Sequence, residues 1–376
     1  MLKFHRAVLH HILMTLKTPF AASSGSTFDR EFIIVELQDK DGVIGWGECS
    51  AFSSPWYTEE TTKTAWHMLE DFLIPIVFEN HIEHPENVSS LFRTIKRNNM
   101  AKAAIEEAVW DVYAKRNNSP LASVLGGKKR KIEVGAAVGI QQSEKELLHT
   151  VERYVNEGYK RIKVKISPGM EDKILSPIRS HFPMLPLMAD ANSAYTLEDL
   201  AQLKKLDQYD LLMIEQPLAA DDIFGHAVLQ KELNTPICLD ESITSYRDAK
   251  QAIEQKSCQI INIKVSRVGG LTEAKRIHDL CKEHQLPVWC GGMLDSGIGR
   301  AHNIAISTLD HFIIPGDTSA SSRYWVHDLI TPEVTMVDGC IEVPEKPGIG
   351  YEVNREQLKR FTLCSKVFKN TFNVNY

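Results

Sequence analysis

Five charged residues recur at an almost constant interval: Lys165, Asp190, Glu215, Asp240 and Lys264, separated by 25, 25, 25 and 24 positions. Each closes, or nearly closes, a short apolar run: Ile162–Ile166, Met184–Met188, Leu211–Ile214, Ile237–Leu239 and Ile260–Ile263. Polar sequence of helical period follows each run. About 25 residues is the length of one strand, one helix and two short connections. In a parallel β/α barrel the C-terminal ends of the strands gather at one mouth. Five successive strand ends would then present Lys, Asp, Glu, Asp and Lys to one small volume.

The rhythm extends in both directions. Glu133–Ile140 reads as a first strand, and Ile140 lies 25 residues before Lys165. Pro287–Cys290 leading into Gly291-Gly292, and His311–Pro315 leading into Gly316-Asp317, complete eight strand candidates. The expected fold class is α/β, a TIM-like barrel of the (β/α)7β kind. An open doubly wound sheet is second choice, because it brings only two or three strand ends to its switch point. Residues 1–127 read as an α+β capping domain, 128–325 as the barrel, and 326–376 as a segment returning to the cap. In the cap, Glu31–Leu37 and Val43–Glu48 flank Asp41-Gly42, a strong hairpin signal. Lys17–Phe28 is expected to be a mobile loop, and Ser53–Tyr57 a loop whose aromatics touch a ligand or the other domain. Met100–Lys115 reads as an amphipathic helix with Glu106, Glu107 and Asp111 on its solvated face or at a domain interface. In the tail, Val334–Val337 and Cys340–Val343 flank Asp338-Gly339, a second hairpin signal expected to rejoin the cap.

Composition narrows the class. A net charge of −6 argues against a nucleic-acid surface, which usually needs a clustered basic face, and Lys128–Arg130, the densest basic run, reads as a solvated inter-domain loop. No run approaches the ~18 apolar residues that span a bilayer. No secretory leader is expected in Met1-Leu-Lys-Phe-His-Arg. Seven cysteines without a C-x-x-C pair favour free thiols in a reducing, cytoplasmic setting.

Asp190, Glu215 and Asp240 offer only hard oxygen ligands, which suit Mg²⁺, with Mn²⁺ as a substitute, and suit Zn²⁺ poorly. Lys165 and Lys264, four strands apart, would face each other across that metal. A divalent cation and a second lysine should lower an ammonium's pKa and free an amine to act as a base. Lys163, two residues before Lys165, points to the same interior side and could add to that effect. A small-molecule carboxylate is the expected partner, losing a proton from its α-carbon. A Schiff-base lysine aldolase, a glycosidase using Glu215 with Asp240, and a non-catalytic metal-stabilised module are the competing readings.

With these residues in hand, the chain resembles the enolase superfamily, muconate-lactonizing subgroup. The resemblance rests on Lys163-Val-Lys165, Asp190-Ala-Asn192, Glu215-Gln-Pro217, Asp240-Glu-Ser242 and Lys264-Val-Ser-Arg267-Val-Gly-Gly270. Within the subgroup it is most similar to the o-succinylbenzoate synthase / N-succinylamino acid racemase branch, through Gly291-Gly292-Met293-Leu294-Asp295-Ser296 and Pro315-Gly-Asp317-Thr-Ser-Ala-Ser321. A lysine base with Mg²⁺ is a known pattern of that superfamily. The resemblance implies that Asp190, Glu215 and Asp240 hold Mg²⁺, that Lys165 and Lys264 are the acid–base pair, and that an enediolate forms. It implies syn dehydration of a cyclohexadiene carboxylate in menaquinone biosynthesis, or racemisation of N-succinylamino acids, or both. Lys163, Asn192, Glu241, Arg267, Gly292 and Met293 become candidates for orienting ligand or lysine. No organic cofactor is implied, and a homo-oligomer is expected.

Overall fold

The computed structural model describes residues 1–22 and 25–370, the side chains of residues 19–27 excepted. Three antiparallel strands open it: β1 (Phe4–Ala22), β2 (Gly25–Asp39) and β3 (Ile44–Cys49). The β2–β3 turn is the Asp41-Gly42 hairpin that the sequence announced. Gly42 takes φ +87°, and the Asp39 carboxylate accepts from the backbone N–H groups of Asp41 and Val43. Lys17–Phe28 behaves differently from expectation. Most of it continues β1 and β2, which stay paired through Phe20–Thr27 and Ala22–Gly25; Ser23 and Ser24 lie outside the described residues.

Helix α1 (Asn99–Arg116) lies directly on β3. The contact is possible because residues 45 and 47 are glycine. A Cβ at Gly45 would stand 2.1 Å from the Ala108 carbonyl oxygen, and one at Gly47 2.0 Å from that of Ala104. The expected amphipathic stripe is absent, since α1 is sandwiched between the cap sheet and the barrel and is buried on nearly every face. Its acids are therefore not solvated. Glu106 accepts from the N–H groups of Leu271 and Thr272, Glu107 from that of Glu48, and Asp111 from those of Trp46 and Ile349. They are interface residues, each satisfied by backbone donors.

Seven parallel strands follow in sequential order: β4 (Ala136–Val138), β5 (Ile162–Lys165), β6 (Leu187–Asp190), β7 (Ile214–Glu215), β8 (Ile237–Leu239), β9 (Ile260–Ile263) and β10 (Val288–Cys290). The eighth candidate is not a full strand. Phe312 makes one parallel bridge to Val288 of β10, and Gly316 one to Val134 just before β4. Two single bridges thus join the edges of the curled sheet. Strand alternation sorts the side chains. Val164, Ala189, Ile214, Leu239 and Ile261 face the helices and join the main core. Met188, Met213, Cys238, Ile260 and Trp289 form a separate small cluster inside the curl. The next inward position carries Asp190, Glu215 and Asp240 on β6 to β8 and Asn262 on β9, with Lys264 one inward step further.

The tail returns by another route than expected. Cys340–Glu342 pairs with Lys131–Glu133, and the turn at Asp338-Gly339 keeps only one bridge, Val337 to Cys340. The strand that rejoins the cap sheet is β11 (Thr362–Lys369), antiparallel to β1. Cap and barrel are also fastened through helix α2 (Gly297–Ser307). Glu48 of β3 accepts from the N–H groups of Ser296 and Gly299 and from the Ser296 hydroxyl at the start of that helix. His302, further along it and fully buried, bonds the Trp46 carbonyl through Nε2 at 2.8 Å.

All seven cysteines are free thiols, five of them buried. Among the described residues no helix is long and apolar enough to cross a membrane. The Lys128–Arg130 run is only partly solvated, because Lys129 reaches back to the carbonyls of Ser307 and Phe312.

Candidate active site

The five residues of the repeat do stand at consecutive strand ends. Lys165 closes β5, Asp190 closes β6 and Glu215 closes β7; Asp240 and Lys264 each follow the last residue of β8 and β9. The register sets Lys165 beside Asp190 and Asp190 beside Glu215. Lys165 donates to Asp190 Oδ2 at 2.7 Å and to Asn192 Oδ1. Lys264 donates to Asp240 Oδ2 at 2.8 Å. Lys163, one inward step below Lys165, donates to Glu215 Oε2 at 3.0 Å and Asp317 Oδ2 at 2.7 Å, with the Trp289 ring 5.0 Å away. Asp317 also receives Arg161. Lys163, Lys165 and Lys264 line one cavity between cap and barrel, together with Asp190, Asn192, Gly292 and Met293.

Sequence reading singled out the Ser53–Tyr57 loop but not the role of its phenol. Tyr57 Oη accepts from Lys264 Nζ at 2.8 Å and from Arg267 Nη1 at 3.0 Å, and the Tyr57 ring lies 4.7 Å from Lys264 Nζ. Arg267 also bonds Asp240 Oδ1, and its Nη2 donates to the Asn262 carbonyl at 2.7 Å. Asn262 was missed as well, although it lies two residues before Lys264 and so must share its inward face; it donates to Glu215 Oε1 at 2.8 Å. Gly291 leaves room for both, since a Cβ there would stand 2.4 Å from Asn262 Oδ1 and 2.8 Å from Lys264 Cε. Gln216, held at φ +40°, accepts from the N–H groups of Asp240 and Ser242 and so fixes the end of β8. Asn192 bridges Lys165 to Glu241 Oε1, 3.0 Å from Asn192 Nδ2.

The electrostatics are those of many charges sharing one water-poor space. Burial, with Asp190 and Asp240 nearby, pushes the Glu215 carboxyl up to about 8 despite Lys163. Burial and Asp240 push Glu241 up to about 7. Asp240 goes the other way: burial raises it, but Arg267 and Lys264 hold it well below the usual carboxylate range. Burial lowers Lys264, yet Asp240 and Tyr57 outweigh it and hold the ammonium above its ordinary value. Lys163 is likewise raised, by Asp317, Glu215 and Asp190 against burial. The expected depression belongs to a site carrying a divalent cation; the surrounding carboxylates alone stabilise the ammonium forms.

Among the described residues no three acidic, histidine or cysteine side chains converge into a ready-made metal cage. The donor chemistry nevertheless fits a hard divalent cation. Asp190, Glu215 and Asp240 are buried carboxylates on adjacent strand ends, and a hard cation would offset the burial that, with Asp190 and Asp240 beside it, displaces Glu215 upward.

A β/α barrel whose strand ends carry acid–base groups beneath an α+β cap defines a class of enzyme working at the seam of its two parts. Comparison with known proteins makes the class specific. Residues 5–126 match the family described as mandelate racemase / muconate lactonizing enzyme, N-terminal domain, and residues 146–357 match enolase C-terminal domain-like. The chain belongs to the enolase superfamily, in its mandelate racemase / muconate lactonizing group. It is 60% identical to the o-succinylbenzoate synthase of Geobacillus stearothermophilus, over 97% of each chain. It is 42% identical to the N-succinylamino acid racemase of Thermus thermophilus, over 97% of this chain and 99% of that one. A solved enolase-superfamily protein from Listeria innocua superposes with a TM-score of 0.96 at 44% identity, covering 99% of this chain and 100% of the other.

Proposed function

We propose that this enzyme is a Mg²⁺-dependent o-succinylbenzoate synthase. It dehydrates 2-succinyl-6-hydroxy-2,4-cyclohexadiene-1-carboxylate with syn geometry, a step of menaquinone biosynthesis. The observation that carries the reading is the placement of Lys165 and Lys264 on one cavity with the carboxylates between their strands. The likeness to the Geobacillus o-succinylbenzoate synthase supports this choice of reaction. Asp190, Glu215 and Asp240 would hold Mg²⁺, which when bound supplies positive charge to the substrate carboxylate and so acidifies its α-carbon.

The chain's own groups do the rest. Lys165, as the amine, removes the α-proton. As the ammonium it returns a proton to the departing hydroxyl on the same face, so one group serves both halves of a syn elimination. Asn192 and Asp190 fix its position. Lys264 stays cationic, held by Asp240 and Tyr57, and balances the charge that grows on the substrate. Gly292, Met293 and the Phe52–Tyr57 segment shape the cavity wall and exclude water.

N-succinylamino acid racemase is the second reading, alone or as an additional activity. It is favoured by the likeness to the Thermus racemase and by a second lysine able to act from the opposite face. Assays of the Mg²⁺-loaded protein on both substrates separate the two by kcat/KM. Lys165→Ala is expected to abolish both activities while the thermal melt stays unchanged, and chelation of Mg²⁺ to abolish them reversibly. Substantial turnover by the variant, or full activity in EDTA with borohydride-trapped substrate, would overturn the reading in favour of Schiff-base chemistry.

A further inference from the structure

A second charged recess lies at the cap–barrel seam, lined by residues other than those of the catalytic cavity. It is a groove of about 670 Å³ formed by the turn before α1, the first turn of α1, and barrel helices Tyr246–Gln255 and Leu271–Glu283. Six cations line it: Arg93, Lys96, Arg97, Lys102, Arg247 and Arg276. Such a concentration of positive charge is unexpected on a chain whose net charge is −6.

Three acids share the walls, each bonded by donors of the protein itself, so six cations face three carboxylates. Glu106 accepts from the N–H groups of Leu271 and Thr272 and from Trp110 Nε1. Asp248 accepts from Thr244 and Ser245. Glu273 accepts from the N–H of Tyr246 and from Arg276, both at 2.7 Å. Among the described residues Arg93, Lys96, Arg97 and Arg247 have no carboxylate partner within ion-pair distance; Arg97 only reaches Thr244 Oγ1 at 3.5 Å. Lys102 is lowered by burial and by Lys96, as crowded like charges are, although Glu60 opposes this. Four unpaired cations converging on one concave surface hold a strong positive potential that a multiply charged anion would relieve.

The floor of the groove reaches the active site. Asn99 Nδ2 donates to the carbonyl of Thr244 at 2.9 Å and to that of Arg267 at 3.0 Å. Arg267 is the residue whose guanidinium holds Asp240 and Tyr57. We propose that this groove binds a small phosphorylated anion bearing two or more charges, and that its occupancy is transmitted through Asn99 to Arg267 and the catalytic site. Guanidinium groups match phosphate oxygens in pairs, and a recess of this volume accommodates a small metabolite.

Fructose 1,6-bisphosphate is the probe, titrated calorimetrically into the full chain at fixed ionic strength. Saturable binding with a Kd below about 1 mM is expected, weakened by at least about tenfold in the Arg93→Ala/Arg247→Ala double variant. Propane-1,2,3-tricarboxylate, similar in charge, is expected to bind about tenfold more weakly than the bisphosphate. Absence of saturable heat, equal binding by the tricarboxylate, or equal binding by the double variant overturns the site. These arms need no substrate, so they stand apart from the assignment of the reaction. With excess Mg²⁺, the bisphosphate is expected to change kcat/KM about fivefold in the native enzyme and not in the double variant. An equal change in both proteins, or none in either, overturns the coupling to Arg267.

Discussion

His302 offers a quantitative test of how the cap is fastened. Its ring is fully buried on α2, with Nε2 on the Trp46 carbonyl and Nδ1 without a partner among the described residues. Burial pulls its pKa from 6.5 down to about 4, against a small opposing pull from Asp111. A lowered folded value means that the unfolded chain binds the proton more readily. His302 therefore contributes its full stability above about pH 6.5 and loses it as the pH falls toward 4. With these two values, protonation at about pH 5 favours unfolding by about 2 kcal/mol relative to about pH 7.5. His302→Gln keeps an N–H for the Trp46 carbonyl but cannot titrate. Urea unfolding of both proteins at the two pH values isolates the term, because all other titrating groups cancel in the comparison. The variant should lose about 2 kcal/mol less stability on acidification than the native protein. A pH-dependent loss equal in both to within about 0.5 kcal/mol would refute the buried neutral imidazole.

Gly47→Ala places a methyl 2.0 Å from the Ala104 carbonyl oxygen, so α1 must move off β3. Destabilisation of about 3 kcal/mol is expected in urea unfolding, and a loss below about 1 kcal/mol would contradict that close approach. Tyr57→Phe keeps the ring beside Lys264 but removes the oxygen accepting from Lys264 and Arg267. It should lower kcat/KM by about ten- to a hundredfold with the melting temperature nearly unchanged. An effect within about twofold would reduce Tyr57 to a packing residue.

The barrel was legible because its repeat places one functional group per strand end, a signal that needs only spacing. The interior layer was half legible. Lys163 was found by its period-two relation to Lys165, and Asn262 stands in the same relation to Lys264 yet carries no charge to draw the eye. Helix α1 was misread for a physical reason: periodicity reports a boundary between core and water, and α1 has no such boundary. Its three acids look solvated in sequence because nothing local reveals the backbone donors of β3 and Leu271-Thr272 that meet them. The eighth strand reads like the others in composition, but only two single bridges form. Tyr57, Asp317 and the Asn99–Arg267 link depend on contacts between distant segments, which spacing does not encode.

Strand β11 has a consequence for assembly. Arg6 faces Lys369 and His11 faces Cys364, so the cap sheet pairs a segment that precedes the barrel in sequence with one that follows it. Without β11, the outer edge of β1 offers unpaired N–H and C=O groups to any other strand nearby. The barrel lies between the two in sequence and can form while that edge waits. Closing so long a loop is slow, which makes the cap rather than the barrel the natural point of capture by a chaperone or by a second nascent chain. The exposed outer face of β11 carries Lys366, which pairs with Glu70 across the cap. Shortening the chain before Thr362 would thus leave the catalytic strands intact in sequence and deprive their lid of its edge.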